Sequence, residues 1–336
     1  MEIKNNTRLP SFYKDILRIN PEKEIQKISR NIRASMTKKF KRRGLVVALS
    51  GGIDSSVSAG LAVKALGSNR VFGLLMPERH SSKDTLELSM SVADEFKIEI
   101  SHENITKILE AVGYYERYDI AVRRIIPDYG KGWKSKIVIS NTIDNSGFNF
   151  FSVVAQSPNG DIIRKRLPYK PYLEIVAATN FKQRIRKMLE YYHADRLNYA
   201  VTGTPNRLEF DQGFFVKLGD GAADIKPIAH LYKTQVYQLA EFLGVPEKIC
   251  KRPPTTDTYS LAQSQDEFYF TLPYQKMDLC LYGKNNGYSP DQLSHAVGLT
   301  SMQIQSVYDN IDQKRSATRY LHLHPQLVEE VVEVSQ

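Results

Sequence analysis

The segment that most constrains this chain is Leu45-Val46-Val47-Ala48-Leu49-Ser50-Gly51-Gly52-Ile53-Asp54-Ser55-Ser56. Its apolar start reads as a short buried strand, and Asp54 to Leu66 reads as a helix closed by Gly67. A strand that apolar must be covered on both faces, which calls for a parallel sheet flanked by helices. The two glycines permit backbone conformations closed to other residues and let the chain approach a ligand closely. Successive N–H groups, together with the hydroxyls of Ser50, Ser55 and Ser56, then form a cradle for an anion at the positive end of a helix. Asp54 adds the hard oxygen that a phosphate-bound Mg²⁺ needs. Two other nucleotide loops are excluded. No lysine stands where a Walker A turn requires one, and the G-x-G-x-x-G spacing is absent.

The flanking sequence repeats the alternation. Val71 to Met76 predicts a strand, Ser82 to Phe96 a helix, and Ile98 to Ser101 a further strand. Tyr199 to Thr202 predicts another strand, preceded by a helix from about Asn180 to Asn198. Ahead of the loop, residues 1–43 form an N-terminal helical segment. Asn20 is placed to cap a helix from Pro21 to about Lys39, with Ile25, Ile28, Ile32 and Met36 on one face. The basic run Lys38 to Arg43 fits a solvated last turn, since cations favour a helix C-terminus. Residues 44–336 are expected to form one α/β domain, a doubly wound and mostly parallel sheet with helices on both faces. Between its halves, about Tyr129 to Pro171 predicts a β-rich insertion. Lys136 to Ser140 and Phe148 to Gln156 are rich in β-branched and aromatic residues, and Pro158-Asn159-Gly160-Asp161 turns the chain back into Ile162 to Leu167.

Composition narrows the class. With 42% hydrophobic and 25% charged residues over 336 positions, the chain is in the ordinary globular range. No apolar run reaches the roughly 18 residues that span a bilayer, and Met1 to Asn6 carries no secretory h-region. The two cysteines, Cys250 and Cys280, fit neither a disulfide framework nor a paired-cysteine zinc site, so reduced thiols and a cytoplasmic location are expected. A net charge of +9 predicts an anionic partner.

The loop resembles that of the ATP pyrophosphatases, the PP-loop enzymes, which read Ser-Gly-Gly-x-Asp-Ser there. These enzymes cleave ATP between the α and β phosphates to adenylate an oxygen, and a nitrogen or sulfur nucleophile then displaces AMP. The loop alone does not choose among argininosuccinate, GMP and NAD synthetases and the tRNA-modifying members. The second half does. Thr202-Gly203-Thr204-Pro205-Asn206-Arg207-Leu208-Glu209 follows a strand, and Gly213-Phe214-Phe215-Val216-Lys217-Leu218-Gly219-Asp220-Gly221-Ala222-Ala223-Asp224-Ile225 follows it, then Leu231-Tyr232-Lys233-Thr234-Gln235. This run resembles the NAD synthetase family. So do Asn180 to Arg186, Pro253 to Asp257, Gln265-Asp266-Glu267 with Tyr274 and Asp278, and Lys314-Arg315.

The resemblance implies an ammonia-dependent amide synthetase that adenylates deamido-NAD and gives NAD, AMP and pyrophosphate, with Mg²⁺ as cofactor and ATP as co-substrate. Carried over by position, Ala48, Leu49, Ser50, Gly51, Gly52, Ile53, Asp54, Ser55, Ser56, Thr204, Lys233 and Thr255 would hold ATP. Asp54 and Glu209 would hold Mg²⁺. Arg184, Lys217, Asp224 and Lys314 would hold deamido-NAD. Asp54, Lys217 and Asp224 would serve the chemistry, with Asp224 orienting ammonium or accepting its proton. The family also implies a homodimer. Neither cysteine lies ahead of the loop, so nitrogen is expected as free ammonia or from a separate glutaminase subunit.

Four departures stand out: Ala222 for a usual glycine, Pro205 after Gly203-Thr204, Gln313 before Lys314-Arg315, and the insertion. The insertion, with Arg164-Lys165-Arg166 and Lys170, reads either as a hairpin with a charge-protected edge or as a reshaped acceptor pocket. That keeps a second reading open, an amide ligase acting on another small carboxylate. A third, an RNA-modifying PP-loop enzyme, has only the basic excess in its favour and lacks the paired cysteines of sulfur-transferring relatives. The motifs therefore point to small-molecule anions and away from nucleic acid.

Overall fold

The computed structural model describes residues 10–139, 151–253, 255–256, 258–261, 263–264, 269–270 and 272–331. Ser140, residues 148–150, Pro254, Asp257 and residues 265–267, all named above, lie outside the described residues.

Helix α1 (Pro21–Ala34) is capped as the sequence predicts, Asn20 accepting from the Lys23 N–H. Ile25, Ile28, Ile32 and Met36 are buried. The helix runs on through wider π-type turns over Ser35–Phe40 and stops at Lys41 in the left-handed region. Then follow β1 (Leu45–Ala48), α2 (Ile53–Leu66), β2 (Val71–Leu75), α3 (Lys83–Phe96) and β3 (Glu99–His102). Two helices, α4 (Thr106–Ala111) and α5 (Tyr114–Arg123), lead into the insertion. There β4 (Lys134–Ile139), β5 (Phe151–Gln156) and β6 (Ile162–Arg166) form a separate antiparallel sheet with β5 in the middle. The predicted turn is present, with Gly160 at φ 95°.

Helix α6 (Tyr169–Leu197) begins well before Asn180 and takes the end of the expected insertion into itself. Pro171 stands in its first turn, where a missing N–H costs nothing, so a proline that reads as a boundary is tolerated. After α6 come β7 (Ala200–Thr202), α7 (Arg207–Gln212), α8 (Lys233–Leu243), α9 (Glu247–Lys251) and the short pair β8 (Thr255–Thr256) and β9 (Gln263–Ser264). Helices α10 (Tyr274–Asn285), α11 (Pro290–Val297) and α12 (Ser301–His322) close the described chain.

The main sheet has the order β3-β2-β1-β7 and is parallel throughout, Leu45 lying between Val71 and Ala200. A parallel bridge from Thr202 to Ile225 extends its edge. Side chains alternate across β1. Leu45 and Val47 join a core with α1, α2 and α8, and Val46 joins another with α5 and α6. Both faces are covered, as the doubly wound expectation requires. Ile137, Val153 and Ala155 of the insertion belong to that second core, so the inserted sheet is packed against the domain. Among the described residues no helix is long and apolar enough to cross a membrane.

Candidate active site

The carboxyl ends of the parallel strands open on a cavity of about 1140 Å³, where ligands of open α/β sheets bind. The turn from β1 into α2 forms one wall, from Ala48 through Ser55. Gly51 has φ 68°, and a Cβ there would lie 2.8 Å from the Thr85 carbonyl, so the turn is pressed against α3 where only glycine fits. Gly52 has ordinary backbone angles and caps α2. Ser50 and Ser55 share a hydroxyl contact of 3.0 Å on the cavity side. Ser56 departs from expectation. It is fully buried off the cavity wall and donates to the Gly52 carbonyl at 2.8 Å, which stabilises the helix start instead of adding to the cradle.

Asp54 and Glu209 come together from the first turns of α2 and α7, which follow the neighbouring strands β1 and β7. Asp54 Oδ1 accepts from Asn206 Nδ2 at 3.1 Å, and its other oxygen pairs with the Lys233 ammonium. Glu209 sits in the first turn of α7 and accepts the Asn206 N–H at 3.1 Å in a capping box. Burial and the neighbouring Asp54 charge push the Glu209 carboxyl above the ordinary carboxylate range. Burial opposes the Lys233 charge, yet the Asp54 and Glu209 carboxylates hold it above the ordinary lysine range. The backbone at Lys233 is fixed in turn, because Lys233 N and Thr234 N donate to Asp278 at 3.2 and 2.7 Å. Burial lifts that acid to about 7.

These two carboxylates are hard oxygen donors beside a phosphate-type loop. Among the described residues no three His, Cys, Asp or Glu side chains cluster closely enough to hold a metal by themselves. Two carboxylates beside a phosphate loop fit Mg²⁺, which is held by one or two carboxylates and completes its shell with waters and phosphate oxygens.

Thr204 and Lys233 line the same cavity, as do Arg184, Lys217 and Lys314 further along it. Arg184 is exposed, its Nε 3.4 Å from the Lys217 carbonyl. Lys217 donates to the carbonyls of Tyr320 and Leu323 at the end of α12. Lys314 is buried, donates to the Tyr269 carbonyl at 2.7 Å, and stands over the rings of Tyr269 and Phe270. Burial alone brings its pKa down to about 7. Asp224 is not part of the cavity wall. It is exposed, and its carboxylate accepts the Val201 N–H at 2.7 Å at the sheet edge. Thr255 lies in β8, paired with Ser264. Ala222 replaces the usual glycine without strain, since its φ is not positive.

The sequence reading assigned no site role to Lys182, Lys187, Glu190 and Asp220, which line the wall. Lys182 and Glu78 form a buried ion pair at 2.7 Å, with the Tyr115 hydroxyl donating to Glu78. Lys187 and Glu190, one helical turn apart on α6, pair at 2.6 Å. Asp220 accepts the Val216 N–H at 2.7 Å. The run Asn180 to Arg186 drew attention to Arg184, but a lysine within it reads as surface until α6 is docked on the sheet. The insertion also reaches the cavity through Ile139 and Phe151, and Phe151 stacks on Tyr172 with ring centroids 4.4 Å apart.

A parallel α/β domain with Ser-Gly-Gly-x-Asp-Ser at its first strand–helix turn, opening on a cavity edged by lysines and a carboxylate pair, is a PP-loop fold. The sequence pattern of the NAD synthase family matches residues 24–122 and 154–320, passing over part of the insertion. This chain belongs to that family. An NH(3)-dependent NAD(+) synthetase of Rhizobium meliloti (strain 1021) is 55% identical over 334 residues, covering 99% of this chain and 100% of the relative. That alignment runs through the insertion. The protein of the same name from Thermotoga maritima is 38% identical over 242 residues, 72% of this chain and 80% of the relative. Among solved structures, the NMN synthetase of Francisella tularensis matches with a TM-score of 0.62 at 23% identity, covering 92% of this chain and all of that one. The NH3-dependent NAD synthetase of Campylobacter jejuni matches at 0.60 and 23%, covering 93% and 100%. At that identity the two structures speak for the fold alone.

Proposed function

We propose that this chain is an ATP-dependent carbon–nitrogen ligase that makes NAD from deamido-NAD and ammonia. The observation that carries this reading is the 55% identity, along nearly the whole of both chains, to a relative named as an ammonia-dependent NAD synthetase. In the first step a substrate carboxylate oxygen bonds to the ATP α-phosphorus and the bond to pyrophosphate breaks. In the second, ammonia bonds to the acyl carbon, the bond to AMP breaks, and a proton leaves the nitrogen.

The residues divide along the cavity. The turn Ala48 to Ser55, with Thr204 and Lys233, is assigned to ATP, the backbone N–H groups facing phosphate oxygens. Thr255 keeps its assignment beside them. Lys233 supplies positive charge where negative charge collects on the departing pyrophosphate. Asp54 and Glu209 are assigned to Mg²⁺, which when bound neutralises phosphate charge. Arg184, Lys217 and Lys314 are assigned to the anionic second substrate. Asp224 keeps its assignment from its place in the motif, although its carboxylate is held at the strand edge off the cavity wall.

The subunit is proposed as a homodimer, supported by exposed apolar side chains on α5 and α6, among them Ile120, Tyr169, Leu173 and Tyr192. Two free cysteines support a cytoplasmic setting. The nitrogen source is proposed to be free ammonia, with a separate glutaminase subunit as the alternative.

One observation favours a second reading, in which another small carboxylate is the acceptor: the insertion supplies part of the cavity wall. Purified protein with ATP, Mg²⁺, ammonia and deamido-NAD is expected to form NAD and pyrophosphate in equal amounts. Pyrophosphate release that depends on a different carboxylate, with no NAD formed, would establish the second reading.

A further inference from the structure

Asn206 occupies an unusual place between the two acids. Its side chain is almost wholly buried, and each of its polar atoms is committed. Oδ1 accepts from the Leu208 and Glu209 N–H groups at 2.9 and 3.3 Å, which makes it the N-cap of α7. Because Oδ1 is fixed by two donors, the amide cannot flip, and Nδ2 must face outward from the helix. It donates to Asp54 Oδ1 at 3.1 Å. The backbone N–H of the same residue donates to Glu209 Oε2. One residue thus touches both carboxylates, one through its side chain and one through its main chain.

The choice of asparagine follows from this. Asparagine, aspartate and serine cap helices about equally well. Aspartate here would set a second carboxylate oxygen against Asp54 with no hydrogen between them. Serine would cap α7 through its single oxygen, which leaves no second atom at the place of Nδ2 to reach Asp54. Of these three caps, only asparagine combines an acceptor atom for the helix with a separate donor atom that reaches the carboxylate. Pro205 precedes it, so the backbone leading into the cap has little freedom to shift.

We propose that Asn206 is a positioning residue that fixes the Asp54 carboxylate, and through its N–H the Glu209 carboxylate, in the arrangement that receives the phosphate-bound cation. The inference rests on the assignment of Asp54 and Glu209 to Mg²⁺. Outer partners of this kind orient metal ligands, and their loss typically weakens metal affinity by about 10- to 100-fold.

The test separates capping from positioning. ATP binding is measured calorimetrically with and without Mn²⁺, in the absence of any carboxylate substrate so that nothing turns over. The readout is the gain in ATP affinity that the metal gives. In N206S the cap is kept, so metal-free ATP affinity and melting temperature are expected to stay near wild type, while the metal-dependent gain shrinks by about 10- to 100-fold. N206D keeps the cap, also lacks the donor, and is expected to lose the gain likewise. It carries the test if N206S fails to fold. D54N is expected to abolish the gain. A full gain in D54N overturns the metal assignment and this proposal with it. Loss in D54N with a full gain in N206S and N206D overturns this proposal alone and leaves the metal assignment standing.

Discussion

Lys217 Nζ donates to the Tyr320 carbonyl at 2.9 Å and lies 4.0 Å from the centre of the same residue's ring, so a cavity lysine also holds the end of a distant helix. A second bond runs to the Leu323 carbonyl at 3.1 Å. The last carbonyls of a helix lack intrahelical donors, and a cation placed there is favourable. Where substrate takes the hydrogens that Lys217 now gives to α12, those bonds are lost. Hydrogen exchange in the last turn of α12 is therefore expected to quicken in K217M, and to quicken in the wild type when the second substrate is added. Exchange that is slowed by substrate would show that Lys217 keeps its helix contact throughout.

The pair formed by Lys182 and Glu78 makes a separate prediction. Both side chains are at most 2% exposed, and Lys182 also donates to the Thr258 carbonyl at 3.1 Å. The pair therefore ties α6 to the loop after β2 and to the segment after β8. Removing one partner leaves a charge buried without its counter-ion, which costs about 3–5 kcal/mol. E78Q and K182M are each expected to lose stability of that order in urea unfolding, and the double variant less than the sum. Additive losses would mean that the two groups are held independently.

Lys314 predicts a pH dependence. Burial brings its pKa to about 7 in the folded chain, against 10.5 for an ordinary lysine. Between these values the unfolded chain binds more protons than the folded one, so stability rises with pH through this window. Below it, the fold carries a buried charge faced by carbonyl oxygens and aromatic rings. An anion bound against Lys314 favours the protonated form. Affinity for the second substrate is therefore expected to fall as pH climbs above about 7, with proton uptake on binding. In K314R, whose charge persists at every accessible pH, the KM profile should flatten. A KM for deamido-NAD that stays constant from pH 6 to 9 in the wild type would falsify the assignment.

How far the sequence could be read depends on the range of the interaction involved. The phosphate turn was legible because its parts are contiguous: strand, glycine turn and helix start lie within twelve residues, and Gly51 is where the backbone demands glycine. The cap at Asn20 is equally local. Asp54 and Glu209 were paired only through motif order, and the structure brings them together through Asn206. What stayed hidden depends on docking. Lys182 and Glu78 are far apart in the chain, and no periodicity shows that α6 will bury one against the other. Ser56 looked like its neighbours in the loop, but helical rotation turns it inward. Asp224 sits in the right motif, yet the sheet edge takes its carboxylate.

The Lys233 side chain is 2% exposed and its ammonium pairs with Asp54, with Glu209 adding to its field. It therefore balances two acids while also lying where phosphate is expected. K233M leaves the part-buried Asp54 and Glu209 carboxylates without that cation. Stability should drop by about 3–5 kcal/mol. Pyrophosphate release should fall by about 10²- to 10³-fold, the usual cost of removing one group that stabilises developing charge. The two carboxylates would then be left to a cation from solution, so Mg²⁺ should raise the melting temperature of K233M more than that of the wild type. Measuring both melting temperatures across a Mg²⁺ series, without nucleotide, decides the matter. Equal shifts would mean that the acids do not share a cation site, and the loss of activity in K233M would then be assigned to phosphate contact alone.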